Sequence, residues 1–190
     1  MDERQLITGL RNRDPVIVEH LLDTYGDRLL RTAYFLCGDK TEAEDLVQAT
    51  LLEAFRSIHR FSGRSSVYTW LHAILLNLSR HYHRKRKRLV CDDELARQEL
   101  VQPTQCDVGA DVNFAATAVN TALKQLSLSH REVLTLRFYS NLPIGEIAQT
   151  LGISQGTVKS RLHYAIAEMR KLLPDELNLF GDGGTKERNQ

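Results

Sequence analysis

Residues 67–82 carry Val67, Leu71, Ile74, Leu75, Leu78 and Tyr82 at i, i+3 and i+4 spacing. Such a stripe gives an α-helix one apolar face that can enter a core. A second face carries Thr69, His72, Asn77, Arg80 and Arg84. After Tyr82 the stripe stops, and Arg84, Lys85, Arg86, Lys87 and Arg88 put positive charge on every side. A helix of this kind is held by a domain at one end and meets solvent or a polyanion at the other. It does not span a membrane, because His72 and Asn77 interrupt it well short of the ~18 apolar residues that a span needs.

The same period recurs along the chain, and with only 4 Pro and 11 Gly in 190 residues it predicts an all-α fold. "DERQLITGLRNRD" reads as a short amphipathic helix. Asp14–Pro15 then opens a second, with Val18, Leu21, Leu22, Tyr25, Leu29, Leu30, Ala33 and Leu36 inward and Cys37–Gly38 at its end. Thr41 and Glu44 form a capping-box pattern ahead of a third helix. Its apolar stripe is Leu46, Val47, Leu51, Ala54, Phe55 and Ile58, with Glu42, Asp45, Gln48 and Glu53 off it. "SGRSS" breaks the pattern, and Ser66 is placed to cap the helix of the opening stretch.

The net charge of +1 hides a segregation. Residues 92–111 hold Asp92, Asp93, Glu94, Glu99, Asp107 and Asp111 against Arg97 alone. With weak periodicity, residues 89–112 read as a flexible acidic linker with a helical piece around Asp92–Leu100. The expected organisation is an N-terminal domain over 1–88, this linker, a C-terminal domain over 113–175, and a polar, Gly-rich disordered tail over 176–190. Within the second domain, Ser129 and Glu132 form another capping-box pattern.

Residues 142–173 carry the strongest local signal. Ile144, Ile147, Ala148 and Leu151 make a short helix, Gly152 suits a left-handed turn, and Ile153 plugs it. Ser154 caps a second helix buried through Val158, Leu162, Ile166 and Met169. This is a helix-turn-helix arrangement. The second helix presents Ser154, Gln155, Gly156, Thr157, Lys159, Ser160 and Arg161. Amide and guanidinium groups fit base edges in a major groove, while hydroxyls and Lys fit phosphates.

Other chemistries find little support. Cys37, Cys91 and Cys106 are odd in number and lack a CxxC pair, so reduced thiols are expected, and structural thiols are favoured over a redox switch at Cys91 and Cys106. His72, His81 and His83 near Cys91 match no standard zinc spacing, so no metal or other cofactor is expected. No clustered carboxylates suggest an enzyme. "MDERQLITGL" is charged where a signal peptide needs an apolar core, which points to a cytoplasmic protein without membrane insertion.

Three segments, in this order, resemble bacterial sigma factors of the extracytoplasmic-function (ECF) type. "EAEDLVQATLLEAF" is similar to the family's polymerase-binding helix. "FSGRSSVYTWLHAILLNLSRHYHRK" is similar to its segment for reading and melting the −10 element. "LSLSHREVLTLRFYSNLPIGEIAQTLGISQGTVKSRLHYAIAEMRKLL" is similar to its −35-binding domain. The likeness covers roughly residues 5–172. It implies two helical domains that work only within RNA polymerase holoenzyme, in contact with the clamp of the largest subunit and the flap.

By the same resemblance, Asp45, Leu46, Val47 and Gln48 would dock on the clamp helices. The loop Phe61, Ser62, Gly63, Arg64, Ser65, Ser66 would hold a flipped-out base. Trp70, Asn77, Arg80 and Arg84 would follow the single-stranded non-template DNA, although Trp70 also borders the apolar stripe and suits the core. The helix from Ser154 would enter the −35 major groove. An anti-sigma factor, soluble or membrane-bound, would hold the chain inactive, and outside holoenzyme it would be a monomer. Leu76 and Leu71 depart from the family pattern, standing where Arg and, in primary sigma factors, a second Trp are usual. Two rival readings are a sigma-like decoy that binds only an anti-sigma factor, and a dimeric helix-turn-helix repressor. Lys159 and Arg161 argue against the decoy.

Overall fold

The computed structural model describes the backbone of residues 2–92 and 110–174, and the side chains of residues 2–86 and 117–174. The stretch 93–109, the tail from 175, and the side chains of Lys87, Arg88, Cys91 and Cys106 lie outside the described residues. So do the linker's expected flexibility, the helical piece beyond Asp92 and the expected disordered tail. The described residues form helices and no strand.

Helix α1 (Glu3–Asn12) starts in a reciprocal cap: Asp2 accepts from the Gln5 N–H, and the Gln5 side chain accepts from the Asp2 N–H. Helix α2 (Pro15–Leu21) is capped by Asp14, which accepts from the Val16 N–H. One regular helix was expected from here to Cys37. Instead a π-turn at Leu22–Gly26 separates α2 from α3 (Asp27–Cys37). On a regular helix Leu21 and Leu29 would be ~80° out of phase. The wider turn takes up that lag. Ile17, Leu21, Leu29, Ala33 and Leu36 therefore all face the core, and Leu22, expected inside, is exposed.

Helix α4 (Lys40–Ser57) begins earlier than its sequence pattern suggests. Asp39, not Thr41, is the cap, and its Oδ1 accepts from the Glu42 N–H at 2.9 Å. After a 3-10 turn at Ile58–Arg60, Ser66 caps α5 (Val67–Asp92) by accepting from the Thr69 N–H at 3.1 Å. Helices α3, α4 and α5 pack side by side, with α1 against α4 and α5. Leu46, Val47, Leu51, Ala54, Leu71, Leu75 and Leu76 lie in this core. Leu76, where the resemblance led us to expect Arg, faces inward.

Helices α6 (Ala110–Gln125), α7 (Leu128–Leu134), α8 (Ile144–Leu151) and α9 (Gln155–Leu172) make the second half, with a π-turn at Thr135–Tyr139 after α7. Ser127 caps α7 through the His130 N–H, so the expected Ser129–Glu132 capping box does not form. Glu132 turns inward instead. Helices α7 and α8 pack on α9. The halves also pack on each other: α3 meets α6, α7 and the second π-turn, and α5 meets α8. Phe35 and Tyr139 stack across this contact with ring centroids 3.8 Å apart.

Candidate nucleic-acid interface

The helix-turn-helix forms as its residues dictate. Gly152 takes φ 68° and ψ 35°, in the left-handed region that a Cβ disfavours. Its N–H reaches the Gln149 carbonyl at 3.3 Å, and the Ile153 N–H reaches that of Ala148 at 3.1 Å, satisfying the last carbonyls of α8. Ser154 Oγ then accepts from the Thr157 N–H at 3.1 Å and starts α9. Val158 and Leu162 anchor α9 inward. Ser154, Gln155, Gly156, Lys159 and Ser160 are exposed, and Thr157 and Arg161 are half-buried. Tyr164, one turn further, is also exposed. This rim offers donors and acceptors ahead of a positive charge, on a helix whose N-terminal dipole favours anions.

The loop before α5 divides into anchor and tip. Phe61 is buried, with its ring centroid 5.0 Å from that of the half-buried Trp70. Trp70 thus packs on Phe61 and keeps part of its ring at the surface. Ser62, Gly63 and Arg64 are exposed, and Ser65 and Ser66 are half-buried. Gly63 has φ 70° and open space where a Cβ would stand, so its glycine answers a backbone need rather than crowding.

On α5, Asn77 and Arg84 are exposed as the helical pattern predicts. Thr69 and His72, on the same expected polar face, are buried. The reason is partners on other helices, Glu146 of α8 for Thr69 and Thr32 of α3 for His72. The Thr69 hydroxyl donates to Glu146 of α8. The Tyr68 hydroxyl donates to the Ser140 carbonyl at 2.9 Å, and Thr32 Oγ1 meets Ser140 Oγ at 2.9 Å. Arg80 lies against Glu132, and that hydrogen bond holds its guanidinium pKa above the usual value. No sequence rule paired Glu132 with Arg80 or Glu146 with Thr69, because these partners come from the other half.

His72 sits in this packing with Nδ1 donating to the Tyr68 carbonyl at 2.9 Å and Nε2 at 3.4 Å from Thr32 Oγ1. Burial, aided by nearby Arg28, pushes its pKa down to about 4. A depressed histidine pKa contributes stability above the unfolded value of about 6.5, and that stability is lost as pH falls towards 4. Wild-type stability to urea should therefore drop by about 2 kcal/mol between pH 7 and 5 relative to His72→Gln, at ~1.4 kcal/mol per pH unit below 6.5. Parallel pH profiles for the two proteins would contradict this placement of His72.

The α4 positions split by face. Asp45 and Gln48 are exposed, with Leu52, 59% exposed, one turn beyond Gln48. Leu46 and Val47, expected to dock as well, are buried and hold α4 to its own domain. Glu42, at the start of α4, accepts from the Tyr82 hydroxyl and lies 3.6 Å from Arg86, so part of the basic end of α5 is tied back to α4. Among the described residues, no group of three His, Cys, Asp or Glu side chains is placed to hold a metal ion. No described helix is long and apolar enough to cross a membrane.

Residues 21–89 match the sigma-70 region 2 family and residues 122–171 match sigma-70 region 4. The capped helix-turn-helix falls inside region 4, and the loop with the basic α5 inside region 2. These two regions in this order define the class of sigma-70-type factors. SigL, an ECF RNA polymerase sigma factor of Mycobacterium tuberculosis, is 32% identical over 173 residues, covering 89% of this chain and 96% of that protein. SigX of Bacillus subtilis, also an ECF RNA polymerase sigma factor, is 31% identical over 168 residues, covering 83% and 85%. The sigma factor RpoE of Bartonella quintana, solved with the anti-sigma factor NepR, superposes with a TM-score of 0.68 at 31% identity, covering 81% of this chain and 94% of that one. CnrH, solved with the cytosolic domain of CnrY, shares the fold at a TM-score of 0.67 and 22% identity, covering 90% and 96%. The chain belongs to the ECF family of RNA polymerase sigma factors. It is a transcription-initiation factor, not an enzyme.

Proposed function

We propose that this sigma factor joins core polymerase through the exposed face of α4, reads −35 duplex with α9, and holds melted −10 DNA along the loop and α5. The observation that carries the reading is the pairing of a capped helix-turn-helix in region 4 with an exposed Gly63 loop and a basic helix end in region 2. Asp45 and Gln48 are the direct polymerase contacts, and Leu46 and Val47 act from within by fixing α4. Ser62, Gly63, Arg64, Ser65 and Ser66 cradle an unstacked base above the Phe61–Trp70 pair, the loop glycine allowing close backbone approach. Asn77, Arg80 and Arg84 form a polar and cationic track for the bare phosphate backbone of single-stranded DNA. Gln155 and Arg161 reach base edges, while Ser154, Gly156, Thr157, Lys159 and Ser160 set the helix against phosphates.

The acidic residues 89–112 join the two reading domains, 1–88 and 113–175, and 176–190 form a tail. Limited proteolysis should cut first between Leu89 and Val112. Earlier cleavage within residues 3–88 or inside α7–α9 would contradict this division. In the cytoplasm an anti-sigma factor, soluble or membrane-anchored, holds the chain inactive by covering these surfaces. Run-off transcription with core polymerase on a genomic promoter pool tests the proposal. Discrete transcripts that require this chain are expected, and core binding without any transcript would favour the decoy reading.

A further inference from the structure

The loop over residues 61–66 has an open tip and two held ends. No atom stands within 4 Å of where a Cβ of Gly63 would lie. Helix α1 packs against the 3-10 turn Ile58–Arg60 that leads into the loop, and against α5, which follows it. At the α5 end the contact is a hydrogen bond between residues 64 apart in sequence: Glu3 Oε1 accepts from the Val67 N–H at 2.6 Å. Val67 is the first residue of α5, and the opening N–H groups of a helix have no partner within it. Ser66 Oγ takes the Thr69 N–H and leaves that of Val67 to Glu3. The carboxylate also complements the positive end of the helix dipole.

Helix α1 can hold the loop because it is itself seated. Leu6 and Leu10 are buried in the core. A Cβ at Gly9 would stand 2.3 Å from the Ile17 side chain, so the glycine lets α2 close against α1. Glu3 itself is exposed, on the turn of α1 nearest Val67. The region 2 match begins at residue 21, so α1 lies ahead of it.

We infer that α1 belongs to the −10 reading unit, with Glu3 a positioning residue that pins the α5 end of the loop and so fixes the gap in which an unstacked base sits. The inference rests on the reading of this loop as the base holder. A site is selective when the groups that line it are held by packing and by hydrogen bonds from behind. Phe61 supplies the packed end, its ring against Trp70, and Glu3 supplies the bonded end. Removing the carboxylate leaves the Val67 N–H to water and loosens the first turn of α5. Ser65 and Ser66 then lose their fixed distance from Phe61.

The test uses holoenzyme and a promoter pre-melted around −10, with an abasic site placed at each non-template position in turn. Wild type should lose affinity roughly tenfold at one position, the scale of one stacked base. Glu3→Ala should cut that loss to about twofold, as for a base no longer held in place. Glu3→Gln keeps an oxygen that accepts from the Val67 N–H, so it should keep the wild-type preference. A capping role confined to stability would lower resistance to urea in Glu3→Ala and leave the preference at the wild-type value. That result would overturn the inference.

A second measurement needs no DNA. Trp70 is the chain's only tryptophan, stands in the first turn of α5 and packs on Phe61. In the free chain, Glu3→Ala should raise acrylamide quenching of Trp70 fluorescence about twofold, as its helix end opens locally, and Glu3→Gln should not. Equal quenching in all three proteins would overturn the inference. A wild-type holoenzyme indifferent to every abasic site would count against the base-holding reading instead, and Trp70 quenching would still decide whether Glu3 fixes the loop.

Discussion

Replacing Arg131 by alanine is expected to destabilise the fold by roughly 3–5 kcal/mol, the scale of breaking a buried charged network. The side chain is buried, and it spends its donors on backbone carbonyls at two helix ends. Nε reaches the Leu123 carbonyl at 2.8 Å, Nη2 those of Lys124 at 2.8 Å and Leu126 at 3.4 Å, and Nη1 that of Leu36 at 3.0 Å. These carbonyls close α6 and α3, where a helix has acceptors without intrahelical partners and a partial negative charge. Burial lowers the guanidinium pKa, yet an arginine keeps its charge at any working pH. Lysine supplies one compact ammonium in place of a planar fork, so Arg131→Lys should recover only part of the loss. Urea denaturation measures both variants. A shift below about 1 kcal/mol for Arg131→Ala would mean that water takes over these carbonyls at little cost.

The second large effect concerns polymerase. Asp45→Arg should weaken core binding by about 2–5 kcal/mol, because reversing a charge at a desolvated contact leaves the partner's charge unpaired and adds repulsion. Asp45 is exposed and lies off the buried stripe of Leu46, Val47 and Leu51, so helical content should not change. The neighbouring Leu52 is apolar and exposed on the same helix, which fits a contact completed by a partner. Leu46→Ala should behave differently, losing stability first and binding only as a consequence. Affinity equal to wild type in a folded Asp45→Arg protein would remove α4 from the polymerase interface.

Much of this was legible in the sequence where the governing interactions are local. Gly152, Ser154 and Ser66 act on backbone groups within a few residues, and each turn and cap formed where its residue type stood. The stripe of α5 likewise named Val67, Leu71, Ile74 and Leu75 as core. What failed was local logic with a distant competitor. Glu132 fits a capping box with Ser129, yet it turns inward to Arg80, 52 residues away. Thr69 and His72 are polar residues on a polar face, and became buried because Glu146 and Thr32 supply partners from other helices. The two π-turns escaped notice because a window tuned to 3.6 residues cannot register a single inserted residue. In the candidate site, the sequence identified which side chains are polar but not which of them are already taken.

Helices α9 and α5 divide the reading of promoter DNA between duplex and melted strand. The most direct test of this division is permanganate reactivity at −10, with promoter affinity, for holoenzymes carrying Arg161→Ala, Lys159→Ala, Asn77→Ala or Arg80→Ala, each on duplex and on pre-melted promoter. Arg161→Ala is expected to lower duplex binding by about 1–3 kcal/mol as a base contact. Lys159→Ala should weaken it across sequences and lower the salt slope by about one. Both should open a pre-melted template normally. Asn77→Ala and Arg80→Ala should keep closed-complex binding while −10 reactivity falls. The same defect from Asn77→Ala and Arg161→Ala on both templates would contradict it.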